Sequence, residues 1–431
     1  MTLQDPAKPF DVLVVGGGPA GSTASTLLCD QGWTVALIEK DKHPRFHIGE
    51  SLLPWNLPIF ERLSVLDEVR KIGVVKNGID FTDPDAENGI SFAFRDARAP
   101  TPPSAFQVRR SELDELLLRN AAKHGVHVAE ETRVTHVDLD QPGKVIVDTV
   151  GPDDTSARWT ARFLVDASGR DTLLGRALSI KDRHPTHTSA ALFSHFKGVE
   201  RSDGPKAGNI GIHWFAHGWI WMIPLRDDIT SVGVVAAPAY FQNTNLTADE
   251  LLLQSIALSP AVAARMRHAK IAMPATATGN FSYICRQMWG ERFMLVGDAF
   301  AFVDPVFSSG VYLAMDGAAS AASAIDAYLR SPKKGKARLR RHERRIHRGI
   351  RNYTWFIERF NEPATKALFM KPSNLLGMQS AILARLAGDV HSATRFWVSL
   401  GLYKLIYNCT QIIRSNTKGA SAHRDIVNGL K

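Results

Sequence analysis

Hydrophobic positions along most of this chain fall into short runs rather than long periodic stretches. The first run, Asp11-Val-Leu-Val-Val15, is continuous, as a strand buried on both faces would be, and it stops at Gly16. Gly16-Gly-Gly-Pro-Ala-Gly21 follows, then small residues as far as Leu28, with Gly32 placed to stop a helix. A second β-like run, Thr34 to Ile38, ends at Glu39. The pattern predicts strand, glycine turn, helix, strand and acid within about thirty residues.

Farther along, 78–94, 189–196, 208–223 and 229–237 alternate strand-like and turn-like pieces, which predicts a sheet inserted into the first unit. Phe163-Leu-Val-Asp-Ala-Ser-Gly169 and Phe293-Met-Leu-Val-Gly-Asp298 are apolar strands ending in Gly and Asp, expected to return to the parallel sheet. A helical pattern runs from Val311 to Leu329, and the remainder reads as helical with breaks at Pro332, Pro363 and Pro372. The expected fold is α/β (α+β overall). A Rossmann-like nucleotide-binding domain is built from 1–75, 100–175 and 286–330. An inserted antiparallel β-sheet substrate domain comes from 76–99 and 176–285, and a C-terminal helical extension from 331–431.

Gly16, Gly18 and Gly21 fit G-x-G-x-x-G, with Glu39 eighteen residues after the last glycine. The pattern alone is weak, but a strand before it and a helix after it are what dinucleotide binding requires. The glycines permit a tight turn and close backbone approach, the helix N-terminus takes the pyrophosphate, and the acid accepts from a ribose hydroxyl.

Composition adds exclusions. The chain has 431 residues, 45% hydrophobic and 22% charged, which rules out disorder and collagen-like or disulfide-rich scaffolds. Three scattered cysteines, Cys29, Cys285 and Cys409, outline neither a disulfide framework nor a metal site. No apolar run approaches a membrane span and no signal peptide is legible, so a cytoplasmic protein is expected. The net charge of +9 suggests a polyanionic partner until it is located. Between Lys333 and Arg351 lie ten Lys/Arg and one acid, Glu343; without them the chain has 42 of each sign. Apolar residues at Ile346, Ile350, Tyr353 and Phe360 form a helical stripe there. The bases around it are either a solvated helix exterior or a docking surface for an acidic partner such as an acyl carrier protein, with Arg340, Arg341, Arg344 and Arg345 as its centre. Nucleic acid is not expected, for the fold offers no recognised reader.

Gly297-Asp298 after a strand, and Arg110 after Phe106-Gln-Val, resemble the flavin monooxygenase superfamily, whose Gly-Asp holds the ribityl chain of FAD and whose arginine lies near it. Three motifs resemble the flavin-dependent halogenases within that superfamily. They are Arg45-Phe-His-Ile-Gly-Glu-Ser-Leu-Leu-Pro54, Trp219-Ile-Trp-Met-Ile-Pro224, which matches W-x-W-x-I-P, and Asp304-Pro-Val-Phe-Ser-Ser-Gly-Val311. Val74-Val-Lys-Asn-Gly-Ile-Asp-Phe81 is similar to their Lys-x-Gly-x-x-Phe run.

The resemblance implies bound FAD contacted by Gly16, Gly18, Ala20, Gly21, Glu39, Arg45, Glu50, Ser51, Arg110, Asp298, Pro305 and Val311. No second nucleotide motif is present, so the resemblance implies FADH2 supplied by a separate flavin reductase, or a nicotinamide bound only transiently. It implies halide held by Ser309 and Gly310, and Trp219 and Trp221 as a partition between flavin and organic substrate. It also implies Lys76 as the catalytic residue that delivers halogen from hypohalous acid, either as an ammonium donor or through a haloamine. Tryptophan-specific members place a glutamate just before the serine matching Ser308, where this chain has Phe307. That departure favours the branch acting on phenols, pyrroles or carrier-bound substrates over free tryptophan. No general base is nameable. The competing readings are a flavin monooxygenase or geranylgeranyl-reductase-like oxidoreductase, and a catalytically silent flavin-binding partner in a biosynthetic assembly.

Overall fold

The computed structural model describes residues 9–84, 89–242, 245–370, 377–391, 399 and 401–411, with 184–188, 280, 281 and 305 in backbone only. Phe10–Val15 runs through the middle of a seven-stranded sheet, as its unbroken apolar run requires, with Val12, Leu13 and Val14 fully buried. It pairs in parallel with Val35–Ile38 on one side and with the second half of Ser156–Asp166 on the other; Phe293–Leu295 joins Ser156–Asp166, again in parallel. All four strands therefore end at one edge, where Gly16, Glu39, Ala167 and Gly297 emerge. Ligands of doubly wound sheets bind at that edge. Arg133–Asp138 and Val145–Val150 extend the sheet in antiparallel fashion.

The second sheet has nine strands around the 17-residue strand Lys181–Lys197. Thr276–Cys285 and Ile229–Ala236 flank it, followed outward by Gly218–Pro224, Ile210–Phe215, Gly78–Thr82 and Ile90–Ala93. One pair departs from the expected antiparallel pattern: Ile210–Phe215 lies parallel to Gly78–Thr82. These strands are far apart in sequence, so no hairpin dictates their relative direction. Lys76 belongs to neither large sheet. It ends Gly73–Lys76, which pairs with Ala105–Val108 in a two-stranded sheet, Lys76 opposite Ala105.

Gly310–Arg330 packs against the glycine-turn helix Pro19–Asp30, and the 28-residue helix Pro332–Arg359 folds back along Gly310–Arg330. A Cβ at Gly335 would lie 2.1 Å from the Tyr328 Cα, so glycine permits this close return. Leu339, Gly349, Tyr353 and Phe356 are its buried face. Lys333, Lys334, Lys336, Arg338, Arg340, Arg341, Arg344, Arg348 and Arg351 are exposed. Arg345 is not among them: its guanidinium grips both Asp316 carboxylate oxygens at 2.9 Å. Helices Pro363–Met370 and Met378–Leu386 follow, then a helix over 401–411. Pro372 and residues 396–398 lie outside the described residues. No described helix is long and apolar enough to cross a membrane.

Candidate functional site

A cavity of about 760 Å³ runs from the glycine turn to the tryptophans of the second sheet. At its first end, Gly16 has φ +106°, and a Cβ there would lie 2.3 Å from the Ala167 carbonyl oxygen. A Cβ at Gly21 would fall 1.8 Å from the Gly16 carbonyl, so only glycine lets helix and strand close together. Gly18 caps the helix Pro19–Asp30 without a side-chain bond, leaving first-turn amides free toward the cavity. Ala20 lines the same wall, and a Cβ at Gly297 would come within 3.1 Å of its methyl group. Glu39 accepts from the Gly17 amide at 2.5 Å and the Asp41 amide at 2.9 Å, which fixes its carboxylate beside the glycine turn while each oxygen retains a lone pair.

Arg45 sits within 4.0 Å of Glu39, Asp41 and Asp114, yet its buried Nε has no hydrogen-bond partner. Arg110 holds Asp114 with two bonds of 2.7 and 2.9 Å and donates to the Ile48 carbonyl at 3.0 Å. That third bond anchors the 45–51 loop, where Gly49 takes φ +111° and Arg110, with burial, pushes His47 down to about 4. Asp298 faces the cavity from a tight turn. Burial lifts its carboxyl to about 6 despite the opposing charges of Arg110 and Arg170. Free amides, an unbonded arginine Nε and a long cavity open between them fit a dinucleotide of the FAD kind.

The other end is apolar. Trp219 and Trp221 project from one face of Gly218–Pro224, with ring centroids 6.0 Å apart, and both line the cavity. Gly233 on the neighbouring strand makes room: a Cβ there would lie 2.2 Å from the Trp221 ring. The Trp221 indole donates to Ser231 at 3.2 Å. Behind them Trp214, Phe81, Phe307 and Phe360 stack into one aromatic block; Phe360, from the C-terminal region, reaches Trp214 at 4.9 Å.

Asp304 accepts from Ser189 at 2.6 Å and from the Val306 amide at 3.2 Å, shaping the turn before Gly310–Arg330. Ser308 is left-handed at φ +57°, a strained conformation for serine. Ser309 precedes the helix but does not cap it; its buried hydroxyl has no partner. Gly310 and Val311 line the cavity, and a Cβ at Gly310 would meet nothing within 4 Å. The result is a helix N-terminus with free amides opening into the cavity. The Pro305 side chain lies outside the described residues.

Lys76 lies one layer behind the wall. It is completely buried, donates to the Ser51 hydroxyl at 2.8 Å and the Leu52 carbonyl at 3.0 Å, and Ser51 lines the cavity. No carboxylate among the described residues lies within ion-pair distance of it, and burial alone pushes its ionisation down to about 7. The Phe94 ring, centred 5.4 Å from Nζ, is a partial substitute for a counter-ion.

The sequence profile of the family described as tryptophan halogenase matches residues 11–95 and 93–367. The chain belongs to this family of flavin-dependent halogenases. The halogenase is 32% identical over 416 residues to the 1H-pyrrole-2-carbonyl-(peptidyl-carrier protein) chlorinase of Pseudomonas fluorescens, covering 90% of this chain and 91% of that one. It is 34% identical to the corresponding brominase of Pseudoalteromonas luteoviolacea, over 74% and 77% of the two chains. A triple mutant of the flavin-dependent brominase Bmp2 superposes with a TM-score of 0.80 at 27% identity, covering 92% and 99%.

The cavity thus gathers most of the residues singled out by motif, while Gly21 packs the turn and Lys76 and Ser309 sit behind the surface. Two features escape sequence reading. Ser51 is the hydrogen-bond acceptor for Lys76, and Glu50 bonds His195 at 2.9 Å. The available signal was His195 on the same strand face as Ala191 and Phe193, a polar residue in an inward-facing series.

Proposed function

We propose that the halogenase uses FADH2 from a separate flavin reductase, O2 and chloride or bromide to halogenate an electron-rich phenolic or pyrrolic group carried on an acyl carrier protein. Bound as FADH2, the flavin would supply two of the four electrons that O2 takes up, the other two coming from the halide as it is oxidised to hypohalous acid. Ser309 and Gly310 hold the halide at the helix N-terminus, and Trp219 and Trp221 keep the organic substrate from the flavin. The observation that carries the reading is the complete burial of Lys76 without a carboxylate partner, bonded to a residue of the cavity wall. Such a lysine costs stability and is retained for chemistry. Its ammonium has three N–H groups and two fixed acceptors, so a hypohalous acid oxygen completes the set and leaves the halogen more electrophilic.

The carrier-protein part rests on the two relatives and on the nine exposed bases of Pro332–Arg359, none within ion-pair distance of a described carboxylate. Phe356 in the last turn of the same helix and Phe360 just beyond it both pack against Phe307, so the charged surface and the aromatic block share one rigid element.

The test supplies FAD, a generic flavin reductase, NADH and bromide, with phenolic and pyrrolic acceptors both free and carrier-bound. A product carrying the bromine isotope doublet is expected, and Lys76→Ala abolishes it. A mass gain of one oxygen, insensitive to halide, would instead mean hydroxylation. Reversal of Arg340, Arg341 and Arg344 to Glu slows the carrier-bound acceptor and spares the free one; equal loss on both removes the docking role. Arg345 is left in place because it serves Asp316.

A further inference from the structure

Halogenation by halide has a proton requirement that hydroxylation lacks. FADH2, O2, halide ion and an aromatic C–H yield FAD, the aryl halide and two waters only when one further proton is added. Two of the four hydrogens in those waters come from FADH2, one from the ring and one from solvent. The flavin electrons reduce O2, and the halide leaves oxidised in the carbon–halogen bond. Hydroxylation, and the wasteful release of hydrogen peroxide from FADH2 and O2, both balance with no added proton. A halogenase of this kind therefore needs a way to bring a proton to the reacting end of the cavity.

Glu50 lines the cavity, 1% exposed and one residue from the Lys76 acceptor Ser51. Its Oε1 bonds His195 Nε2 at 2.9 Å, and its buried Oε2 has no hydrogen-bond partner among the described residues. His195 lies farther out, its side chain 13% exposed beside the edge of the exposed Phe46 ring. The backbone holds Glu50 in place, since its carbonyl accepts from the Val108 amide at 2.8 Å. The other cavity carboxylates are differently engaged: Glu39 by two amides, Asp41 beside Arg45 at 3.6 Å, Asp171 by Lys40, and Asp298 facing Arg110 and Arg170. Charged groups around Glu50 are His195, Arg110 and, across Ser51, Lys76.

We propose that His195 and Glu50 form the path by which the proton consumed in each halogenation turnover enters the cavity, His195 receiving it from solvent and Glu50 passing it inward. The inference rests on the halogenase reading. In each passage a proton leaves His195 Nε2 for Glu50 Oε1, and the carboxylic acid then releases a proton to the reacting oxygen, so the pair returns to its starting charge.

Glu50→Gln and His195→Gln keep the size of each side chain and a hydrogen bond between them while removing the proton transfer. Each is expected to lower bromination on the order of a hundredfold and raise hydrogen peroxide formed per FADH2 oxidised, compared at saturating FAD. Glu50→Asp recovers part of the rate. Wild-type bromination and peroxide yield in Glu50→Gln or His195→Gln at saturating FAD would overturn the relay. A wild-type protein that brominates no acceptor overturns the halogenase reading itself, and the relay with it.

Discussion

The Lys76 ammonium nitrogen lies 2.8 Å from the Ser51 hydroxyl, joining a fully buried strand end to the wall of the flavin cavity across 25 residues of sequence. The second acceptor, the Leu52 carbonyl, comes from the same segment. The motif around Glu50 and the motif around Lys76 are therefore one structural unit, held together by the pairing of Gly73–Lys76 with Ala105–Val108 and the bridge from Ser51 to Gln107.

Burial of that lysine gives the halogenase a specific dependence of stability on pH. Ionisation falls from 10.5 to about 7 because the charged form is desolvated. Between these values the unfolded chain holds a proton that the folded chain has released, so this contribution to stability rises with pH. Below pH 7 both states are protonated and the penalty is complete, about 5 kcal/mol at 1.36 kcal/mol per unit. Lys76→Met should thus gain most over wild type in urea unfolding at pH 6, with the gain shrinking steadily to pH 10. A difference independent of pH would contradict the assignment.

Catalysis should show the opposite slope if the ammonium acts. Bromination of a free phenolic acceptor by wild type is expected to fall as pH rises through about 7, where burial places the Lys76 ionisation. A rate that instead rises through the same point assigns the neutral amine. Acceptors whose own ionisation lies well above pH 9 keep the two effects apart.

Gly21→Ala tests the nucleotide end. The added methyl group would sit 1.8 Å from the Gly16 carbonyl, and backbone must move to admit it. FAD binding, followed by flavin fluorescence, should weaken at least tenfold, whereas Gly401→Ala, outside the cavity lining and with nothing within 4 Å of its Cβ, should retain it.

Gly233→Ala tests the partition. Its methyl group would overlap the Trp221 ring at 2.2 Å, turning the indole away from Ser231. A cost of about 1–3 kcal/mol is expected from overpacking, with a shift in tryptophan emission and less brominated product per FADH2. Unchanged emission would mean that the strand moves rather than the ring.

Phe360→Ala tests the contribution of the C-terminal region. Its ring contacts Trp214, Phe307, Trp219 and Phe81, so truncation should cost about 3–5 kcal/mol and leave a void beside the tryptophans. Thermal unfolding measures the cost. Faster turnover of bulkier free phenols, relative to wild type, would place this void in the substrate path.

Much of the nucleotide end was legible in the chain because the requirements there are local. A continuous apolar run makes a doubly buried strand, and glycines at Gly16 and Gly21 are demanded by atoms within a few residues or one strand away. The stripe through Tyr353 and Phe360 likewise announced its helix, since amphipathic spacing is a local property. The same reasoning placed Arg345 with the exposed bases, and there it went astray. Only the packing of Pro332–Arg359 against Gly310–Arg330 turns that guanidinium onto Asp316.

The reacting end depends on contacts that sequence distance conceals. Ser309 reads as an ordinary helix cap, but in the fold its hydroxyl is buried and bonds nothing. Glu50 and His195 are 145 residues apart and meet because the loop anchored by Arg110 closes over the face of Lys181–Lys197 that carries Phe193. The sequence by itself determined the nucleotide turn, the order of strands and the identity of the motifs, all set by steric and hydrophobic rules acting over short stretches. Tertiary structure alone decided which polar groups are buried and whom they face. Desolvation and hydrogen-bond pairing, the terms that make Lys76 titrate near neutrality, exist only once distant segments have excluded water together.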